Sequence, residues 1–161
     1  MCIITKSVEY MDFKDKQILS ELQSDGRLTN LDLADRINLS PSACHRRVKS
    51  LEDTGIIDKY VAIVSPRKIG KTTSVFVQVT LDNQRRETLE EFERAVERVD
   101  EVMECYLMGG LADYIMRVLV ADPSTYEVLH QDVLTRLPGV QRVVSNFAIR
   151  SLFRRTAIKL S

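Results

Sequence analysis

The sequence predicts an α+β protein in which an N-terminal helix-turn-helix domain is joined to a ferredoxin-like βαββαβ domain. Apolar residues recur at helical spacing through the first third of the chain, and strand-like alternation begins near residue 75. The second half then runs strand–helix–strand twice, which is typical of a four-stranded antiparallel sheet with two helices on one face. We expect an extension over residues 1–11, the helical domain over 12–64, a linker over 65–73 and the ferredoxin-like domain over 74–155.

Composition limits the classes of protein to consider. The 161 residues carry 23 basic and 23 acidic side chains, so overall charge gives no support for a nucleic-acid partner. Cys2, Cys44 and Cys105 are far apart and include no C-x-x-C pair, which favours neither a disulfide framework nor a zinc site and suits the cytosol. No apolar run approaches the roughly 18–20 residues of a membrane span. We expect a cytoplasmic protein, whose start could be Met1 or Met11.

Three short helices are predicted between residues 12 and 55. Asp12 is expected to cap the first helix and Gly26 to end it, and Thr29 is expected to cap the second. Ser40-Pro41 supplies an N-cap followed by proline at the first helical position of the third helix, which Gly55 closes. The apolar positions expected to face inward are Ile18, Leu19, Leu22, Leu33, Ala34, Ile37, Cys44, Val48 and Leu51.

The second half predicts four strands, over residues 75–81, 102–108, 114–120 and 141–152, after an extended segment at 56–64. One helix is expected around residues 89–99, and another runs from Pro123 to a stop at Pro138-Gly139. Two helices cover only one face of such a sheet, and Phe76, Tyr106 and Phe147 are candidates for the uncovered surfaces. Because a large apolar sheet face must be buried, we expect a dimer, assembling to a tetramer or octamer.

A local excess of positive charge distinguishes the second and third helices. Residues 36–51 contain no acidic side chain, although the whole chain is neutral. In a helix-turn-helix the second helix of the pair enters the major groove of DNA, where arginine and lysine contact bases and phosphates. The candidate DNA-binding residues are Arg36, Ser40, Ser42, His45, Arg46, Arg47 and Lys49. The alternative interpretation is a solvated charged face on a small helical bundle.

Three stretches together resemble the leucine-responsive/asparagine-regulator (Lrp/AsnC) family of transcription factors. They are N-L-D-L-A-D-R-I-N-L-S-P-S-A-C-H-R-R-V-K-S-L-E-D-T-G-I-I at 30–57, V-M-E-C-Y-L-M-G-G-L-A-D-Y at 102–114 and T-R-L-P-G-V at 135–140. The resemblance implies a winged-type helix-turn-helix, double-stranded DNA as partner and a homo-oligomer. It also implies allosteric control by a small amino-acid effector, with no other cofactor.

The resemblance also implies an effector pocket between subunits, beside the family's G-x-x-D turn. Gly110 and Asp113 match this turn, so Asp113 is the candidate partner for the effector amine. Leu107 and Met108 would border the pocket, and Gln141 is a weaker candidate from an adjacent subunit. Without the resemblance, the residues alone favour a simple hairpin in which glycine and aspartate serve the turn.

Two departures from the family pattern affect specificity rather than fold. Gly109 stands where members commonly carry serine or threonine, and Ala43 and His45 stand where leucine-responsive members often carry proline and a larger apolar residue. The identities of the effector and of the DNA site are therefore open, as is the choice between activation and repression.

Two rival functions are weighed against a ligand-responsive regulator. An enzyme is disfavoured because the sequence offers no nucleophile–base pair, phosphate loop or metal-ligand set. Cys44 is expected in the core and His130 in partial burial, rather than in chemistry. An architectural protein that wraps DNA with little response to a ligand remains the main alternative.

Overall fold

The computed structural model describes residues 11–160, which form two compact units. One unit contains residues 11–63 together with residues 153–160, and the other is Val64–Leu152. The sequence places the whole of 74–155 in the second domain, whereas the structure assigns the chain from Phe153 onward to the helical unit. No helix among residues 11–160 is long and apolar enough to cross a membrane.

The first unit is built from three helices: α1 (Phe13–Ser24), α2 (Asn30–Arg36) and α3 (Pro41–Asp53). Each begins at the cap that the sequence predicts, because the side chains of Asp12, Thr29 and Ser40 accept hydrogen bonds from backbone N–H groups in the first turn. Gly55 follows α3 with a φ of 72°, the left-handed conformation that favours glycine after a helix. The core of this unit contains Ile18, Leu19, Leu33, Ala34, Ile37, Cys44 and Leu51.

Gly26 does not end α1 as predicted. The helix stops at Ser24, and the N–H of Asp25 donates to the carbonyl of Glu21. A Cβ at Gly26 would lie 3.7 Å from the Tyr60 ring, so this glycine lies against a side chain from the segment that follows α3. That segment, residues 58–65, forms no strand.

The second unit is a four-stranded antiparallel sheet in the order β2-β3-β1-β4, which confirms the ferredoxin-like prediction. Its elements are β1 (Thr73–Leu81), α4 (Arg86–Val96), β2 (Val102–Leu107), β3 (Tyr114–Val120), α5 (Pro123–Asp132) and β4 (Val140–Phe147). Strand β1 is central, since it pairs with β3 on one side and with β4 on the other. Within residues 11–160, β2 and β4 are the edge strands.

Alternation along β1 and β3 sends one set of side chains into the core and the other to the opposite face. Val75, Val77 and Val79 are fully buried on the helix side, with Phe92 of α4 and Tyr126 of α5 in the same cluster. Burial of each large apolar side chain contributes about 1.5–3 kcal/mol. Apolar packing between the sheet and its two helices therefore supplies much of the stability of this unit.

Three predicted features of this unit are wrong in detail. The last strand ends at Phe147 rather than Leu152, and its final contact with β1 is the hydrogen bond from the N–H of Ala148 to the carbonyl of Ser74. The second helix ends at Asp132, and a separate 3₁₀ turn, Leu134–Arg136, precedes Gly139. Phe147 lies on the helix side, where its ring meets Tyr126 edge-on at a centroid distance of 5.2 Å.

Gly139 is the position where this fold requires glycine most strongly. Its φ is 69°, and a Cβ there would lie 2.6 Å from Cγ2 of Thr88. Gly139→Ala should therefore lower the free energy of unfolding by more than about 1 kcal/mol, since it combines a left-handed backbone with a clash. Gly110→Ala is the matched control, because no atom lies within 4 Å of its Cβ position and its φ is not left-handed. Urea denaturation of both variants measures the difference, and equal midpoints would contradict this account of Gly139.

Candidate functional sites

The outward face of α3 carries four of the seven predicted DNA-contact residues. Cys44 and Leu51 are buried and Val48 packs against the same core, which confirms the predicted inward face. The side chains that remain exposed on this helix include Ser42, His45, Arg46 and Lys49. Within residues 11–160, Arg46 and Lys49 form no ion pair, so both cations are available to an anionic partner.

The start of α3 is fixed by hydrogen bonds rather than by charge. Ser40 Oγ accepts from the N–H of Ala43 and lies 3.3 Å from Ser42 Oγ. The Asn30 side chain, at the start of α2, donates to the carbonyl of Pro41 at 2.9 Å. This bond joins the first residues of the two helices, so the N-terminal end of α3 is held in a defined position against α2.

Arg47 is placed differently from its neighbours on α3. Its Nη1 lies 2.8 Å from a carboxylate oxygen of Asp12 and 2.8 Å from one of Asp15. These aspartates form the capping box of α1, and the hydrogen bond from the N–H of Asp15 is the main cause of the lowered pKa of Asp12. Arg47 therefore joins α3 to the first turn of α1.

Arg36 is also paired, since its Nη1 lies 2.9 Å from Oε2 of Glu21. This pair raises the pKa of the guanidinium and links α2 to α1. The pair is half-exposed, so its contribution to stability is small, but it neutralises a predicted DNA-binding cation.

Tyr60 provides another connection to α3. Its hydroxyl donates to Oε1 of Glu52 at 3.0 Å, and burial together with this bond raises the pKa of Tyr60 to about 12. A crevice lined by His45, Val48, Asn30 and Tyr60 lies beside this contact. No pattern in the sequence identifies Tyr60, because only the folded chain brings it back to the helix.

In the second unit, the predicted effector loop connects β2 to β3. Leu107, Met108 and Gly110 are exposed, as is Leu111, so this loop presents an apolar and backbone surface. The Cβ positions of Gly109 and Gly110 face open space, and neither residue has a left-handed φ. The loop conformation therefore does not require either glycine.

Asp113 is buried beneath this loop instead of projecting from it. Only 6% of the residue is exposed. Its Oδ2 accepts from the N–H of Leu81 at 2.7 Å, and its Oδ1 accepts from the side-chain amide of Gln84 at 2.6 Å. The carboxylate thus ties the β2–β3 loop to the chain between β1 and α4. No pattern in the sequence identifies Gln84, because its partner Asp113 lies far away along the chain.

Gln141 lies on a different strand from the other effector candidates. It is exposed near the start of β4, beside Val140, which pairs with Leu81 of β1. Because β1 lies between β3 and β4, the structure groups the candidates as one loop plus a separate side chain at the same end of the sheet.

A groove of about 570 Å³ opens between α4 and the edge strand β2, next to the loop. Its lining is mainly acidic, with four glutamates against one cation, Arg94, and Leu107 is its one predicted effector residue. Tyr114 donates to Glu93 at 2.8 Å in its floor, and burial raises the pKa of the Cys105 thiol. This surface disfavours a ligand carboxylate, so we separate it from the effector loop.

The uncovered sheet face combines apolar and charged side chains. Phe76 and Tyr106 lie on it as the sequence suggested, with exposed fractions of 41% and 56%. Arg117 pairs with Glu104 at 2.8 Å, and Tyr106 donates to the same carboxylate at 3.1 Å. No pattern in the sequence predicts this network, because it depends on the register of β2 against β3.

Cys44 and His130 are both packed against neighbouring side chains in the part of the chain described. Cys44 is fully buried, and burial raises the pKa of its thiol, as expected of a core residue. His130 is half-buried beside the ring of Tyr126. Residues 11–160 contain no group of three or more His, Cys, Asp or Glu side chains that could hold a metal ion.

Comparison with known proteins agrees with both units. Residues 11–58 match the winged helix-turn-helix DNA-binding family, and residues 74–158 match the Lrp/AsnC ligand binding domain. The leucine-responsive regulatory proteins of Escherichia coli K12 and Salmonella typhimurium are each 41% identical over 130 residues, which cover 81% of this chain and 79% of theirs.

Solved structures extend the match to the whole fold. A transcriptional regulator of Neisseria meningitidis, crystallised as a complex with L-Met, is 34% identical with a TM-score of 0.88 and covers 92% of this chain and 96% of its own. An AsnC family regulator of Agrobacterium tumefaciens is 33% identical, also with a TM-score of 0.88, covering 92% and 97%. The chain belongs to the Lrp/AsnC family of DNA-binding transcriptional regulators.

Proposed function

We propose that this protein reads DNA with the exposed face of α3 and that an amino acid bound at the β2–β3 loop alters its assembly or its grip on DNA. The observation that carries the DNA part is the pair of unpaired, exposed cations Arg46 and Lys49 on a helix held by its neighbours. Ser42 and His45 on the same face are candidates for base or phosphate contacts.

Arg36 and Arg47 act through positioning in this proposal. Each is neutralised by a carboxylate on or beside α1, so a DNA phosphate would have to displace an existing partner. Ser40 contributes as the cap that presents the first turn of α3. The predicted contact set is thereby divided into direct contacts and residues that hold them.

Two neighbouring arginines of α3, Arg46 and Arg47, should respond differently to the loss of their charge. Arg46→Gln should weaken DNA binding with little change in thermal stability, because Arg46 is exposed and forms no ion pair in the described chain. Loss of a phosphate contact would reduce the salt slope by about one, whereas loss of a base contact would cost about 1–3 kcal/mol at one position.

Arg47→Gln is the matched control, since it removes the same charge one residue away. It should lower the melting temperature, because Asp12 and Asp15 lose their partner. Anisotropy titrations and thermal melts of both variants measure the two effects. If the variants lose DNA affinity equally and melt alike, the division between contact and positioning is wrong.

The uncovered sheet face supports self-association. Two helices leave Phe76 and Tyr106 in solvent around a charged network, and burial against a second copy removes this apolar surface from water. We propose a dimer through this face, with larger assemblies built from it.

Phe76→Arg should shift the full chain toward monomer in sedimentation experiments at micromolar concentration, because it places a charge in the middle of the proposed interface. Val128→Arg is the control, since Val128 is an exposed apolar residue on α5, away from that face. A dimer that survives Phe76→Arg but not Val128→Arg would place the interface on the helix side instead.

The effector proposal rests on the exposed loop and on Asp113 beneath it. The ligand carboxylate would use backbone N–H groups near Gly109 and Gly110, and Leu107 and Met108 would meet an apolar side chain. The complex of the Neisseria regulator with L-Met supports this class of ligand. Gln141 of another subunit remains a candidate contact.

The proposed role of Asp113 differs from the direct contact with the effector amine that the resemblance implies. Both carboxylate oxygens already accept hydrogen bonds, so we propose that Asp113 acts on the effector by fixing the loop. Gln84→Ala should then reproduce part of the affinity loss of Asp113→Ala, since it removes one of the same bonds. Calorimetry against the best ligand from a thermal-shift screen of the twenty amino acids tests this.

Full affinity in Gln84→Ala with none in Asp113→Ala would instead support a direct contact to the ligand amine. Stability rises with a ligand that binds only the folded state, so a screen with no shift at millimolar concentration would favour the architectural alternative.

A further inference from the structure

The C-terminal segment, residues 153–160, is attached to the DNA-binding unit at two points. The N–H of Ile158 donates to Oε1 of Gln23 at 2.6 Å, and Nε2 of Gln23 donates to the carbonyl of Ile158 at 3.1 Å. Leu160 packs against the core of the three helices. One side chain of α1 thus pairs with both backbone groups of a tail residue, which fixes the segment to this unit.

This segment changes the sign of the charge on the unit. Residues 11–63 contain eight lysines and arginines against nine aspartates and glutamates, so the helices alone carry a negative formal side-chain charge. Residues 153–160 add three basic side chains, Arg154, Arg155 and Lys159, and no acidic one. With the tail, the formal side-chain charge of the described part of this unit changes from −1 to +2, which favours binding to a polyanion.

The tail cations are free to bind an anion. All three residues are exposed, and none forms an ion pair within residues 11–160. The guanidinium of Arg155 lies 4.7 Å from the centre of the Phe153 ring, which orients it without occupying its N–H donors. By contrast, Arg36 and Arg47 already form ion pairs with carboxylates of the same unit.

We infer that the docked tail is a second DNA-contacting element of this unit, in which Arg154, Arg155 and Lys159 bind backbone phosphates while α3 contacts the groove. The inference rests on the proposed reading of DNA by α3. Phosphate is the ligand because these are flexible cations on an extended segment, which suits sequence-independent contact. The tail supplies affinity, and α3 supplies specificity.

The test removes two tail charges and leaves the anchors in place. Arg154→Gln with Arg155→Gln is titrated by anisotropy against a duplex from the gene's own upstream region and against a mixed-sequence duplex of equal length. Each lost phosphate contact changes the slope of log K against log salt by about 0.9, so the slope should become shallower by up to about 1.8. Affinity for both duplexes should fall by the same factor.

Arg85→Gln with Arg98→Gln is the matched control. It removes the same net charge from two exposed residues of the second unit and should leave the slope unchanged. Equal losses of DNA affinity and of salt slope in both double variants would show that only overall charge matters, and would overturn the inference. An unchanged slope in the tail variant would overturn it as well. If Arg46→Gln still weakens binding in that case, the proposed role of α3 stands; if it does not, both fail.

Gln23→Ala tests whether docking itself matters, because it breaks both hydrogen bonds and leaves every charge in place. Trypsin should cut at Arg154 and Arg155 faster in this variant, and DNA affinity should fall because a loose tail must be ordered on binding. Faster cleavage with unchanged affinity would contradict a role for the docked conformation.

Discussion

The one-sided burial of β1 is the constraint on which the second unit depends. This strand hydrogen-bonds to neighbours along both edges, and its alternate valines lie under α4 and α5. A slip of one residue would send every buried side chain to solvent, so the register is fixed. Because β1 is fixed, the N–H of Leu81 is held where Asp113 can accept from it, and the opposite face remains open with Phe76 at its centre.

The basic side chains of the first unit have two roles: some join the helices to one another, and others are exposed to a partner. Arg47 and Arg36 join α3 and α2 to acidic residues of the α1 region, whereas Arg46 and Lys49 face solvent. Half-exposed ion pairs contribute little to stability, so their value lies in orientation. The three helices therefore present little unpaired positive charge, and the C-terminal tail adds three exposed basic side chains.

Local chemistry made most of the fold predictable. Asp12, Thr29 and Ser40 cap helices because the side-chain oxygen of each accepts from a backbone N–H only three residues later. Such a bond needs no residue from a distant part of the chain. Strand alternation in 114–120 likewise shows its inward face without knowledge of the neighbours. The position of Phe147 was harder to predict, because the face on which a residue of β4 lies depends on the register of that strand with β1. The length of β4 likewise depends on how far its pairing with β1 extends.

The sequence by itself determined the order of elements, their caps, the inward faces of the helices and the family, because these follow from patterns within a few residues. Only the tertiary structure decided how individual polar groups are used. Asp113 belongs to a network with Gln84 rather than to an open pocket, and Ile158 returns across most of the chain to Gln23. Partners far apart in sequence leave no periodic signal, since which donor meets which acceptor is settled by packing.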